Sequence, residues 1–262
     1  MKYGRNEGRI SSKISCRNDL INYINTNEYK CLEIGPFDCP NLIGEKVKYF
    51  DVLDQEGLKK RALQINRNQH SVPFINYVND KGDLTIIKET FDIILSCHSI
   101  EHQLNFIQHL KDVSKLLNNN GYYVIVCPDK RYCFDHFIKE SSLADIISQY
   151  INKPQLHTIK SIIEHRALTC HNDSVRHWNG DHETQNYVSN PKIIKNAITE
   201  YQTSVLNNQY VDVHSLQFTP TTFENIINLL NQLNYIDLSV NNIYYTIKNS
   251  SEFFIILKKN TN

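Results

Sequence analysis

A carboxylate, a glycine and a second carboxylate give this chain its first chemical signal. Cys31-Leu32-Glu33-Ile34-Gly35-Pro36 is an apolar run that carries Glu33 and breaks at Gly35, and Asp51 closes the next apolar run, Val47-Lys48-Tyr49-Phe50. Gly35 lets backbone approach a ligand with no Cβ in the way. An acid roughly 20 residues past such a strand is placed to accept hydrogen bonds from a ribose. The run lacks the three glycines of a dinucleotide fingerprint, and Phe37 and Cys39 stand where a pyrophosphate needs bare backbone. The pattern points to a nucleoside-like cofactor without a pyrophosphate and away from an NAD-dependent enzyme.

The other candidate groups are mostly histidines. Ser96-Cys97-His98-Ser99-Ile100-Glu101-His102 follows one apolar run, and Cys127-Pro128-Asp129-Lys130-Arg131-Tyr132-Cys133-Phe134-Asp135-His136 follows another. Further on come His171-Asn172-Asp173, Arg176-His177-Trp178-Asn179-Gly180-Asp181-His182 and Asp212-Val213-His214. An attacking hydroxyl must lose its proton, which suits a histidine base, and His98, His136, His177 and His214 are candidates. Lys130 and Arg131 suit an anionic group instead, since Arg grips such groups bidentately. Imidazole and carboxylate at His171, Asp173, His177, Asp181 and His182 could ligate Zn²⁺. Their spacing fits no closed structural zinc pattern. The expectation is a polar substrate-binding loop and no metal.

These groups need elements to hold them. Lys30–Ile34, Val47–Leu53, Phe74–Val78, Phe91–Ser96 and Tyr122–Cys127 read as strands, the fourth being a continuous apolar run of the kind buried parallel strands show. Helical spacing at Leu20–Ile24, Gln55–Ile65 and Phe106–Leu117 separates them, and Asn118-Asn119-Asn120-Gly121 stops the last. Alternation of this kind implies a doubly wound, mostly parallel α/β sheet, the Rossmann-like class. The rhythm breaks after Pro128. Residues 129–212 hold helical patterns at Leu143–Tyr150, Thr158–Leu168 and Pro191–Leu206 and no convincing strand. A helix over Thr221–Leu233 and strands at Ile236–Val240 and Glu252–Leu257 follow, with a linker that lets the two strands pair antiparallel. The organisation read from this is a cofactor-binding half at 1–128, a helical, His-rich substrate or lid insertion at 129–212, and a part completing the sheet at 213–262.

Composition removes other classes. Formal net charge is zero, so no basic stripe marks a nucleic-acid partner. No apolar run reaches the roughly 18–20 residues that span a bilayer, and Met1–Arg9 has no signal-peptide core. The seven cysteines are scattered with no C-x-x-C pair, which suits a reducing, cytoplasmic setting. Oligomeric state is left open.

Over roughly 28–128 and 214–258, the chain resembles the class I S-adenosylmethionine-dependent methyltransferases. Glu33-Ile34-Gly35-Pro36 looks like their first motif and Asp51 like their ribose-binding acid. Gly82-Asp83-Leu84 looks like the adenine-side loop, and the segment from Ser96 through His98 like the lining of the methionine end. The resemblance implies S-adenosyl-L-methionine as cofactor, bound through Glu33, Gly35, Pro36, Asp51, Asp83, Leu84, Ser96 and His98. The motifs from Cys127 to His136, from His171 to His182 and at His214 are similar to a bacterial methyltransferase group of capsule and surface-glycan biosynthesis. That implies O-methylation of a sugar or glycan precursor held by Asp129, Lys130, Arg131, Tyr132, His177, Trp178 and His182, with His98, His214 or His136 catalytic. Methylation of a phosphate or phosphoramidate oxygen is the alternative, and a non-catalytic glycan- or partner-binding protein with the same fold is a second.

Overall fold

The computed structural model describes residues 14–24, 26–183 and 190–260. The N-terminal reading at Met1–Arg9 lies outside them. Seven strands form one sheet: β1 (Cys31–Ile34), β2 (Val47–Asp51), β3 (Tyr77–Val78), β4 (Phe91–Cys97), β5 (Leu117–Pro128), β6 (Leu238–Tyr244) and β7 (Glu252–Lys259). Their order is β3-β2-β1-β4-β5-β7-β6. β1 to β5 run parallel, and β7 pairs antiparallel with both β5 and β6. This is the expected doubly wound sheet with a terminal antiparallel pair.

Period-2 alternation assigns the two faces. On one face Leu32, Ile34, Ile94, Tyr123 and Ile125 pack against α3 (Phe106–Leu116) and α8 (Pro220–Gln232). On the other, Cys31, Ile93, Leu95 and Val126 pack with Leu20 of α1 (Arg17–Tyr23) and with Leu42. α2 (Gln55–Gln64) covers a smaller cluster at Leu58, Val72 and Ile75. α3 starts where the Asn105 side chain accepts from the backbone N–H of Gln108, and α8 starts at Pro220 behind the capping hydroxyl of Thr219.

Between β5 and α8 lie α4 (Leu143–Asn152), α5 (Ile159–Leu168), α6 (Ser174–Trp178) and α7 (Pro191–Asn207). α4 contributes Ile146 to the main core, while Ile162, Ala197 and Val213 form a separate small core under α5 and α7. The sequence pattern did not indicate α6, a single turn capped by Asp173. The expected strand at Phe74–Val78 shrinks to Tyr77–Val78: the Asn76 N–H donates to the Tyr49 carbonyl, but the Tyr49 N–H goes to the Asn76 side-chain oxygen and not to a backbone carbonyl. β5 begins earlier than expected: Leu117 pairs with Phe91 and Asn118 donates to Asp92, so the asparagines join the strand.

Candidate active site

β1 leads the chain toward β2 and β3, and β4 leads it toward β5. The crevice beyond their carboxyl ends is therefore the topological switch point, where open α/β sheets bind ligands. Two tight turns meet there. Gly35 follows β1 with φ +70°, and His98 follows β4 with φ +48°, both in the left-handed region. A Cβ added at Gly35 would lie 3.8 Å from the Ser99 side chain, so the turns are neighbours.

Glu33 is buried and its carboxylate is already engaged. It accepts from the backbone N–H groups of Asn41 and Leu42, each at 2.9 Å, and from the Asn41 side chain at 2.8 Å. Burial pushes its pKa up, and these donors partly offset that. Glu33 thus braces the turn from behind. Phe37 is partly buried against the small cluster under α2 with the Arg67 guanidinium over its ring, which takes its side chain away from the crevice.

Asp51 ends β2 next to this turn. It is 7% exposed and accepts from the backbone N–H of Val52 at 2.7 Å. Burial raises its pKa to about 6, against backbone donors from Val52, Leu53 and Phe37 that lower it. A carboxylate that keeps some exposure at a strand end can also accept from hydroxyl groups.

Two residues expected at the cofactor have buried side chains. Ser96 is fully buried on the α3 face, its hydroxyl 2.8 Å from that of Tyr123, which lies 2.9 Å from His109 Nε2. Leu84 is 3% exposed and packs in the main core. Both residues sit at pattern positions that point inward, one on the strand and one in the short turn Leu84–Ile86. Asp83 is exposed and caps that turn by accepting from the Thr85 N–H at 2.8 Å.

His98 is exposed at the mouth, with Nε2 2.7 Å from Glu252 at the start of β7. Glu252 also takes the Arg17 guanidinium from the start of α1. Burial would raise the Glu252 pKa, but His98 and Arg17 hold it down at about 2. Sequence reasoning missed Arg17 and Glu252. Neither stands in a motif, and 235 positions separate them.

The segment after β5 is pinned to itself. Asp129 is fully buried and takes Arg131 through two nitrogens, at 2.9 and 2.6 Å, plus the Thr246 hydroxyl at 2.6 Å. Lys130 Nζ donates to the His136 carbonyl at 2.7 Å. Arg131 is thus paired with a carboxylate, whereas Lys130 meets a neutral carbonyl. Tyr132 and Trp178 stack with ring centroids 3.9 Å apart, and the Trp178 indole N–H donates to the Ser250 carbonyl. His136, His177 and His182 come together, with the Nδ1 atoms of His177 and His182 2.8 Å apart. Asp173 and Asp181 do not join them, since one caps α6 and the other pairs with Arg176. His214 is buried, with Nδ1 2.6 Å from Asp135 Oδ2.

No family model and no curated protein matches the chain. Among solved structures it is similar to the CcbJ methyltransferase from Streptomyces caelestis, at 9% identity over 92% of this chain and 93% of that one, with a TM-score of 0.46. It is similar to an S-adenosylmethionine-dependent methyltransferase from Clostridium acetobutylicum, at 10% identity over 88% and 84%, TM-score 0.42. A third is TehB from Haemophilus influenzae, at 13% identity over 93% and 60%, TM-score 0.40. The strand order, not these distant likenesses, carries the fold assignment.

Proposed function

We propose that the protein is an S-adenosylmethionine-dependent methyltransferase that methylates a hydroxyl oxygen of a sugar or surface-glycan precursor. The observation behind this reading is the pair of left-handed turns at Gly35 and His98, side by side at the switch point with Asp51 on the adjacent strand. S-adenosylmethionine needs bare backbone, an acceptor for its ribose and no phosphate cradle, and these residues fit that need. Bound there, it supplies a sulfonium-activated methyl group.

Asp51 would accept the ribose hydroxyls, Gly35 and Pro36 would give the close backbone approach, and Glu33 would hold their turn in place. Asp83 is exposed on the side where an adenine would lie. Of the four candidate bases, His98 stands exposed at the mouth, whereas His214 is buried against Asp135, His136 Nδ1 lies 2.8 Å from the Arg131 carbonyl and His177 is buried with Nε2 3.0 Å from the His171 carbonyl. With its Nε2–H on Glu252, His98 would take a proton from an acceptor hydroxyl at Nδ1, the nitrogen that lies 3.7 Å from the Glu101 carboxylate. Arg131 is paired with Asp129, which takes the bidentate grip away from a phosphate or phosphoramidate acceptor. The stacked Tyr132–Trp178 pair, near His136 and His182 in sequence, is the surface assigned to the sugar.

The seven cysteines are all free, in keeping with a cytoplasmic enzyme, and among the described residues no helix is long and apolar enough to cross a membrane. Incubating the enzyme with methyl-labelled cofactor and a panel of nucleotide-linked and lipid-linked sugars, read by mass spectrometry, tests the reading. Transfer of one methyl to a sugar hydroxyl is expected. Cofactor binding with transfer only to a phosphate-type oxygen would reject the acceptor class. A fold-retaining binding protein would neither transfer methyl nor co-purify with S-adenosylhomocysteine.

A further inference from the structure

Behind the mouth lies a second constellation that the methyl-transfer reading does not use. Glu101 and His102 occupy the short turn Ile100–His102 after β4. His214 lies more than a hundred residues later, yet its segment is stapled to that turn: the N–H groups of Ser215 and Leu216 both donate to the Glu101 carbonyl, at 2.8 and 3.0 Å. The ligating atoms of Glu101, His102 and His214 all fall within 4.8 Å of one another.

Glu101 is the anomaly. It is 1% exposed, and neither carboxylate oxygen has a hydrogen-bond partner among the described residues. His214 Nε2 and His98 Nδ1 approach Oε1 only to 3.8 and 3.7 Å. A bare buried carboxylate is strongly unfavourable unless a cation or donors meet it.

The two imidazoles are prepared to share such a cation. His214 Nδ1 lies 2.6 Å from Asp135 Oδ2; with its Nδ1–H on that carboxylate, the neutral ring would turn an Nε2 lone pair toward Glu101. His102 places Nδ1 3.2 Å from the Val213 carbonyl, so that nitrogen carries the proton and Nε2 the lone pair. A carboxylate or backbone carbonyl on the remote nitrogen is the arrangement that orients metal-ligating histidines.

We propose that Glu101, His102 and His214 hold a divalent first-row transition-metal ion, with Asp135 as the positioning residue behind His214. The donor set, two imidazoles and a carboxylate, suits Zn²⁺ or Fe²⁺ and not a hard ion such as Mg²⁺. Bonds of Zn²⁺ to N and O near 2.0–2.1 Å put tetrahedral ligand atoms about 3.4 Å apart, so the His214–Glu101 pair at 3.8 Å would close slightly and His102, within 4.8 Å of both, would move in to complete the set. Three protein ligands leave a position open for an oxygen ligand, as catalytic zinc sites do. His102 is partly exposed, which gives the ion a way in. The inference stands whether or not the protein transfers methyl groups.

The test uses the full-length protein stripped with a chelator. Zn²⁺ is titrated in competition with a chromophoric chelator, and Co²⁺ is added separately for its visible spectrum. One equivalent should bind, with d–d bands and no thiolate charge-transfer band. Glu101→Gln and His102→Ala should each weaken binding at least 100-fold, and Asp135→Asn by 10–100-fold, with circular dichroism unchanged. His102→Ala, at a partly exposed position, keeps the test decisive if a buried variant misfolds. Wild-type protein that takes up no ion overturns the proposal. So does an ion that survives Glu101→Gln and His102→Ala but is lost in His177→Ala, which would place it at His136, His177 and His182.

Discussion

Gly35 faces Ser99 across the switch point, so closely that an added Cβ would touch the serine side chain at 3.8 Å. That distance is ordinary contact. The cost of a side chain at Gly35 therefore comes from its φ of +70°, not from crowding. Gly35→Ala should destabilise the protein by about 1–2 kcal/mol and weaken S-adenosylmethionine by roughly tenfold as the turn shifts. Ser99→Ala, which leaves the turn relaxed, should do neither. Urea unfolding and calorimetric titration of the two variants check this.

Asp51 ties stability and ligand binding to pH with opposite signs. Its pKa is about 6 in the folded protein against an ordinary 3.8. Between these values the folded state holds the extra proton, so stability falls as pH rises through that window and is level above it. The shift is worth roughly 3 kcal/mol. Asp51→Asn should therefore be more stable than wild type at pH 7 and nearly equal at pH 4. Donation from ribose hydroxyls favours the ionised form, so wild-type cofactor affinity should climb with pH to about 6 and then level off, while the variant stays weak and flat. Urea unfolding and binding isotherms from pH 4 to 8 measure both.

His109 carries the opposite linkage. Burial holds its pKa down at about 4, against an ordinary 6.5, so it is neutral when folded. Below pH 6.5 the unfolded chain takes up a proton that the folded protein refuses. The stabilisation is complete above 6.5 and is lost as pH falls toward 4, by roughly 3 kcal/mol. His109→Gln should flatten that limb of the stability profile. Tyr123→Phe leaves Ser96 and His109 without their shared partner and should cost about 1–3 kcal/mol at pH 7, with cofactor affinity unchanged. Equal stability profiles for wild type and His109→Gln would contradict the buried neutral state.

The sheet was readable because its strands are apolar runs: Phe91–Cys97 has no other way to bury itself. The places of Gly35 and Asp51 were readable because each stands at or next to its own strand end. The Ser96–Tyr123 contact was not legible because a hydroxyl at a strand end looks the same facing a ligand or facing the core; only the register with β5 shows its partner. Arg131 looked like an anion grip because its partner, Asp129, sits two residues away with no sign of its burial. The Glu101–His214 and His98–Glu252 pairs join segments more than a hundred residues apart, and no local pattern encodes them. The edge strand failed for a related reason, since the side chain of Asn76 replaces a ladder bond that sequence periodicity would have assigned to backbone.

Titration of S-adenosylmethionine into the full-length protein at pH 7.5, beside Asp51→Ala, bears most directly on the whole account. One site per chain in the wild type and at least 100-fold weaker binding in the variant are predicted. Equal affinity in the two proteins, or no binding to the wild type, would contradict the cofactor site at Gly35 and Asp51.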